Sequence, residues 1–206
     1  MNDGYMLILN EIASDSPTPG GGTVAGLTLA HAYSLASMVS RLTIDKKKWE
    51  KGHKISSKII NNINYDLDNS IKLAIADSSA FDKVMDSYRL PKNSEDEVHA
   101  RNMAILNSTI GAAQAPFDIA KEGFKLLSML PELAEYCNLN AITDLASSSE
   151  LAYTAVYIAS LNVKINVDSN DDSSLKEIQN NTSIIVSGSD KLIKEIREIV
   201  ARRMNN

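Results

Sequence analysis

The chain has 206 residues, 44% hydrophobic and 23% charged, with 26 Asp and Glu against 21 Lys and Arg for a formal net charge of -5. That balance supports one buried core in a single domain spanning 1–206, and the acidic excess argues against non-specific attraction to nucleic acid or to an anionic membrane. The single cysteine, Cys137, excludes an intrachain disulfide, and three scattered histidines form no transition-metal cluster, so a reducing, cytoplasmic setting is the expectation.

The opening stretch MNDGYMLILNEIAS has neither a basic n-region nor a small-residue cleavage site, and no uncharged apolar run reaches bilayer-spanning length. Tyr5 to Ala13 reads as a short amphipathic segment. Thr18-Pro19 then reads as an N-cap followed by proline at the first helical position, opening a helix from about Gly21 to Ile44. Apolar and small residues wrap most of its circumference, which predicts a central, nearly all-round buried helix. DKKKWEKGHK follows as a polar connector.

From about Lys54 to Arg89, Ile60, Leu67, Ala74, Phe81 and Tyr88 repeat every seven residues, predicting a second long helix ended by Leu90-Pro91. Ser94 to Glu97 forms a capping box for a third, whose apolar residues step by three and four from Met103 to Leu127, with a bend expected at Pro116. A fourth helix is expected over Asn140 to Asn162. Its stripe of small side chains (Ala141, Leu145, Ser148, Ala152, Ala155, Ala159) predicts a tight helix–helix or subunit contact. Ser174 to Glu177 is another capping box, opening a last helix to about Arg203 with Gly188 as a break point. Only NVKINV, Asn162 to Val167, approaches strand alternation. The expectation is an all-α, up-and-down bundle of long helices.

SPTPGGGTVAG, Ser16 to Gly26, raises a choice of ligand. Gly20-x-Gly22-x-x-Ala25 meets a loose dinucleotide fingerprint with Asp45 near the ribose-binding position, but no strand leads into the first glycine or ends at the acid. A P-loop fails too, since no Lys-Ser or Lys-Thr follows. What survives is a helix N-terminus whose backbone N–H groups are open to an anion or a polar heterocycle edge, or to another backbone passing close by.

Read together, SPTPGGGTVAG, LTIDKKKWE, DSSAFDKVMDSYRLPK, RNMAI and NLNAITDLA…LNVKIN resemble the cyclodeaminase family. That family comprises stand-alone methenyltetrahydrofolate cyclohydrolases and the C-terminal domain of formiminotransferase-cyclodeaminase. The resemblance runs from residue 7 to about 200. It implies a homodimeric helical enzyme of folate one-carbon metabolism, with the folate site near the subunit interface. It also implies chemistry to or from 5,10-methenyltetrahydrofolate that uses no cofactor and no metal. The expected reaction is hydrolysis to 10-formyltetrahydrofolate. Cyclodeamination of formiminotetrahydrofolate with release of ammonia is the alternative, and a non-catalytic folate-binding protein on the same scaffold is a third reading. Three residues depart from the family pattern: Cys137 where glycine is usual, Asp45 where glycine precedes the lysines, and His31 in a run of small residues.

Hydrolysis of an amidinium-like carbon needs a positioned water, a base, and an acid for the departing nitrogen. Under the resemblance, Asp144 in the first turn of the fourth helix is the expected acid/base carboxylate, with helix capping as its competing role. Lys46, Lys47, Lys48, Lys92 and Arg101 suit a folate glutamate tail, a solvated face being the alternative for the lysine run. Asn162 and Asn166 offer the mixed donors and acceptors that match a pterin edge, or serve the helix end. Ser16, Pro19, Gly20, Gly21, Gly22, Thr23 and Asn140 complete the expected substrate-binding set. His31 reads as a core histidine, and Trp49 as packing over the connector or stacking on the ligand.

Overall fold

The computed structural model describes residues 4–169 and 171–205, which form six α-helices: α1 (Tyr5–Ile12), α2 (Gly21–Ile44), α3 (His53–Arg89), α4 (Glu95–Tyr136), α5 (Ile142–Val167) and α6 (Ser173–Met204). Short 3₁₀ segments at Lys47–Gly52 and Leu139–Ala141 connect them, and the described residues contain no strand. NVKINV is thus the last turns of α5. Its alternation fails to make a strand because Val163 and Val167, four apart, are the buried positions.

α2 is central. Ala25, Leu29, Ala32, Tyr33, Ala36 and Val39 are wholly buried as it packs against α3 and α5 and touches α4. α4, α5 and α6 pack mutually on the far side. The small stripe of α5 faces inward within the protomer: Ala141, Leu145, Ser148, Ala152, Ala155 and Ala159 are buried, and Ser148 donates to the Ala32 carbonyl of α2 at 2.7 Å. That removes the subunit-contact alternative for this face.

The inward face of α3 is rotated from the expected heptad stripe. Ile55, Ser56, Ile59, Ile63, Asp66, Ser70 and Ala74 are buried, whereas Phe81 and Tyr88 are exposed. A seven-residue repeat drifts about 20° per heptad on a straight helix, so five positions spread over four heptads do not stay on one side. The buried face also uses polar side chains that a search for apolar residues passes over. Asp66, 2% exposed, is held by the Lys125 ammonium of α4 at 2.9 Å, and Lys125 also meets Glu122 at 2.9 Å. Tyr33 donates toward Glu122, and burial beside these carboxylates pushes its hydroxyl pKa far above the ordinary phenol value.

α4 runs unbroken through Pro116, where the proline predicts a bend. Proline leaves the carbonyl four residues earlier without its helical donor. That carbonyl belongs to Ala112, and Asn166 of α5 donates its side-chain amide to it at 2.9 Å. At the start of α4, Ser94 accepts the Glu97 N–H, while Glu97 reaches back to the amide of Asn93. α6 differs from expectation at its first turn. Asp172 accepts the Ser174 N–H at 2.8 Å and caps the helix, and Gly188 is no break but the place where the Phe124 ring lies against the backbone.

Cys137 follows α4 with φ -67°, so nothing there requires glycine's freedom. Its thiol is buried beside Arg203, whose guanidinium donates to the carbonyls of Ala134 and Cys137 and lies over the Trp49 ring. Burial pushes the thiol pKa up, against the opposing charge of Arg203.

Candidate functional site

The chain enters α2 through a turn in which the Ser16 hydroxyl donates to the Thr18 carbonyl and the Thr18-Pro19 peptide is cis. Gly20, not Thr18, is the N-cap, Pro19 lies outside the helix, and no side chain of the turn caps it. The start of α2 instead lies against Asp77 of α3. Gly22 lies so close to Asp77 that a Cβ on it would overlap the carboxylate, and a Cβ on Gly26 would come within 2.8–2.9 Å of Ala74. Glycine at 26 lets α3 approach; glycine at 22 leaves room for the Asp77 side chain against the helix start.

Two influences oppose each other at Asp77. Burial raises its pKa, and the amide and hydroxyl of Thr23 lower it; burial wins, leaving the carboxyl above the ordinary aspartate value. Thr23 is 8% exposed, and its hydroxyl lies 2.7 Å from that of Ser78. Gly21 faces Ile158 and the Asn162 side chain. Beside this group opens a cavity of about 410 Å³, mostly apolar, whose walls include Ile8, Glu11, Pro19, Thr23, Ile75 and Ser78.

Asp77 is the residue that the expected site omits. Its signal in the sequence is a carboxylate one turn after Ala74 on the inward side of a helix, where ionisable groups are rare unless partnered or functional.

The expected residues divide between the two ends of the bundle. Gly20, Gly21, Gly22, Thr23 and Asn162 converge at the Asp77 end. α2 is 24 residues long, so Lys46, Lys47 and Lys48 lie about 36 Å away along its axis. Fourteen residues of α5, about 21 Å, separate Asp144 from Ile158. Asp144 does stand in the first turn of α5, but one protomer does not bring it to the glycines. Asn140 is in the 3₁₀ turn before it, its amide bonded to Asn138 Oδ1. Asn166 spends its side-chain N–H groups on the carbonyls of Ala112 and Asn162. Lys92 and Arg101 sit on the α3–α4 hairpin, which extends 12 residues of α3, about 18 Å, beyond Asp77; Arg101 donates to the Tyr88 carbonyl there.

Trp49 is covered by Arg203 and Lys48, which is packing over the connector. His31 is exposed, contrary to the core reading, with Nδ1 2.7 Å from the Leu27 carbonyl and Nε2 facing Tyr5. Among the described residues no group of His, Cys, Asp and Glu is placed to hold a metal ion, and no helix is long and apolar enough to cross a membrane.

Comparison with known proteins agrees with this architecture. Residues 6–183 match the family model described as formiminotransferase-cyclodeaminase. The chain is 33% identical over 177 residues to the methenyltetrahydrofolate cyclohydrolase of Methylorubrum extorquens, covering 85% of each. It is 30% identical over 169 residues to the formimidoyltransferase-cyclodeaminase of Rattus norvegicus, of whose length it spans 31%. The crystal structure of formiminotetrahydrofolate cyclodeaminase from Thermotoga maritima superimposes with a TM-score of 0.86 at 25% identity, over 97% of this chain and 96% of that one.

Proposed function

Because the chain belongs to the formiminotransferase-cyclodeaminase family of folate one-carbon enzymes, we propose that it hydrolyses 5,10-methenyltetrahydrofolate to 10-formyltetrahydrofolate, with Asp77 as the acid/base carboxylate. The observation that carries the reading is the Asp77 carboxyl itself, part-buried at the start of α2 and raised in pKa by burial. A carboxylate poised nearer neutrality than usual is matched to taking a proton from water and returning it.

The substrate is an amidinium-like cation, so the ionised carboxylate favours its binding electrostatically and holds the attacking water. Attack of water on the bridging carbon passes a proton to Asp77. The tetrahedral adduct collapses when Asp77 returns that proton to the departing ring nitrogen, leaving the formyl group on N10. The glycine amides and the Asn162 amide supply donors to the pterin at the helix start. Lys92 and Arg101, on the projecting hairpin, meet the glutamate tail on the same side of the molecule.

Absorbance of methenyltetrahydrofolate is expected to decline faster with the protein than without it. Binding without acceleration would instead support a carrier. Several relatives are cyclodeaminases by name, and the same carboxylate serves that reaction by protonating departing ammonia. Ammonia released from formiminotetrahydrofolate, with no acceleration of methenyl hydrolysis, would transfer the assignment to that reaction.

A second copy of the chain is the partner that the exposed apolar surface fits. α1 buries none of its residues, with Leu7 63% exposed, and Ile75 on the neighbouring face of α3 is 61% exposed. Both lie beside the cavity that Ile8 and Ile75 help to line, so a dimer through this face sets the partner against the site. Sedimentation is expected to give twice the chain mass for the parent and a monomer for Leu7→Glu; a parent that sediments as a monomer would overturn the assignment.

A further inference from the structure

α1 covers only half of the helix it stands on. Tyr5 meets His31, its hydroxyl 3.5 Å from Nε2 and the two rings edge to face at 6.0 Å. The chain leaves α1 at Ile12 for the start of α2 at Gly21, so α1 runs antiparallel to α2. Between them, along Val24 to His31, is an apolar cavity of about 300 Å³. Beyond His31 the same outward stripe continues uncovered through Ser34, Met38, Arg41 and Leu42, with Met38 37% and Leu42 43% exposed. Ser34 to Leu42 is eight residue steps, about 12 Å, which is also the length of the eight-residue α1.

α1 has a second face to match. Tyr5 to Leu9 are five consecutive apolar residues, more than one 3.6-residue turn, so they wrap a helix that nothing in one protomer encloses. Tyr5, Ile8, Leu9 and Ile12 line the cavity against α2, whereas Leu7 and Asn10 are exposed and are not among its walls. Charge divides in the same way. Glu11 and Asp15 follow at the end of α1, and Arg41, Lys46, Lys47 and Lys48 at the end of α2. Among the described residues none of these six has an ion-pair partner. An open half-face as long as α1, basic where α1 is acidic, is complementary to a second copy of the same chain.

We propose that two copies pack antiparallel along α2, each seating its α1 on the open half of the other's α2, and that this brings the partner's Lys46, Lys47 and Lys48 to the glycine end. The inference rests on the folate reading and the dimer above. A two-fold axis at the middle of α2, between His31 and Ser34, exchanges the covered and open halves. Leu7 then lies at the partner's Met38 and Asn10 at the partner's Arg41, with Glu11 and Asp15 towards the partner's lysines. The ends of α2 are exchanged too, so the partner's Lys46 comes level with Gly20, from which its own chain holds it about 36 Å away. Each site then combines the glycine turn and Asp77 of one subunit with the lysine run of the other. Those lysines join Lys92 and Arg101 in meeting the carboxylates of the glutamate tail.

The pairing is tested without reference to activity. Asn10→Cys/Arg41→Cys is expected to become a covalent dimer with a short bismaleimide, while each single variant stays uncoupled, because its two thiols are about 20 Å apart across the two-fold. Cys137 is buried and does not compete. A dimeric parent whose double variant fails to couple, or whose single variants couple, would overturn the arrangement, and a monomeric parent would overturn the dimer itself. The shared site is tested by turnover. Lys46→Gln/Lys47→Gln/Lys48→Gln is expected to raise KM for methenyltetrahydrofolate about tenfold with kcat kept, the scale of a lost charge-assisted contact. Co-expressed with Asp77→Asn, it is expected to recover about a quarter of parent turnover at low substrate, since half of the dimers are mixed and each holds one intact site of two. A parent KM in the lysine variant, or no recovery in the mixture, would overturn the shared site. Turnover retained by Asp77→Asn alone would overturn the acid/base reading instead, and the cross-link still decides the pairing.

Discussion

Asp77→Asn is expected to lower turnover by at least about a hundredfold, the usual scale for loss of a general acid/base group, while methenyltetrahydrofolate still binds. The asparagine side chain keeps the shape and one acceptor but cannot hold the proton in transit. Its effect on stability has the opposite sense. The native Asp77 pKa is raised by burial, so the folded protein binds this proton more tightly than the unfolded chain does. The stability it contributes is full below the unfolded pKa and is lost as pH rises through the folded one. At neutral pH the ionised group therefore costs stability, and Asp77→Asn is expected to unfold at or above the parent temperature, an advantage that fades on acidification. Turnover assays and melts at several pH values check both halves. Near-normal turnover in Asp77→Asn, with the loss found in Asp144→Asn, would return the acid/base role to Asp144.

The second large effect is expected at Gly22. A methyl group there overlaps the Asp77 carboxylate, which must leave its place at the helix start. Gly22→Ala is therefore expected to lose most turnover, although alanine is otherwise the better helix former by about 1 kcal/mol. At Gly26 the obstacle is the Ala74 backbone, which cannot rotate aside, so Gly26→Ala is expected to separate α2 from α3 and cost about 1–3 kcal/mol. Gly21→Ala meets only ordinary contacts at 3.7–3.9 Å and serves as the control, with stability unchanged or slightly raised. Thermal unfolding beside turnover distinguishes the three, and a fully active Gly22→Ala would show that the carboxylate position is not critical.

Dense apolar periodicity makes a helix legible from its residues alone. α2 begins and ends where expected, although it is not buried all round, since His31, Ser34, Met38 and Leu42 form an exposed stripe, and α3 and the buried stripe of α5 lie within a few residues of expectation. The site is half legible. The glycines announce a close approach, but not what approaches: a carboxylate 55 residues later in the chain, on a helix whose inward face is marked by Asp66, Ser70 and Asp77 rather than by leucines. Asp144 stands out in the sequence because a carboxylate in the first turn of a helix is a local pattern, visible without the fold. The separation of Asp144 and the lysine run from the glycines is a matter of helix length and direction, which no local pattern carries.

Asn166 shows how an assignment made from side-chain chemistry is redirected by the backbone around it. Its amide fills the acceptor that Pro116 leaves empty at Ala112, so the two positions are tied by a single hydrogen bond. Loss of the proline makes the asparagine redundant, and loss of the asparagine strands a carbonyl. Chains that keep the imino acid should keep an amide donor fifty residues later, and chains that drop one become free to drop the other.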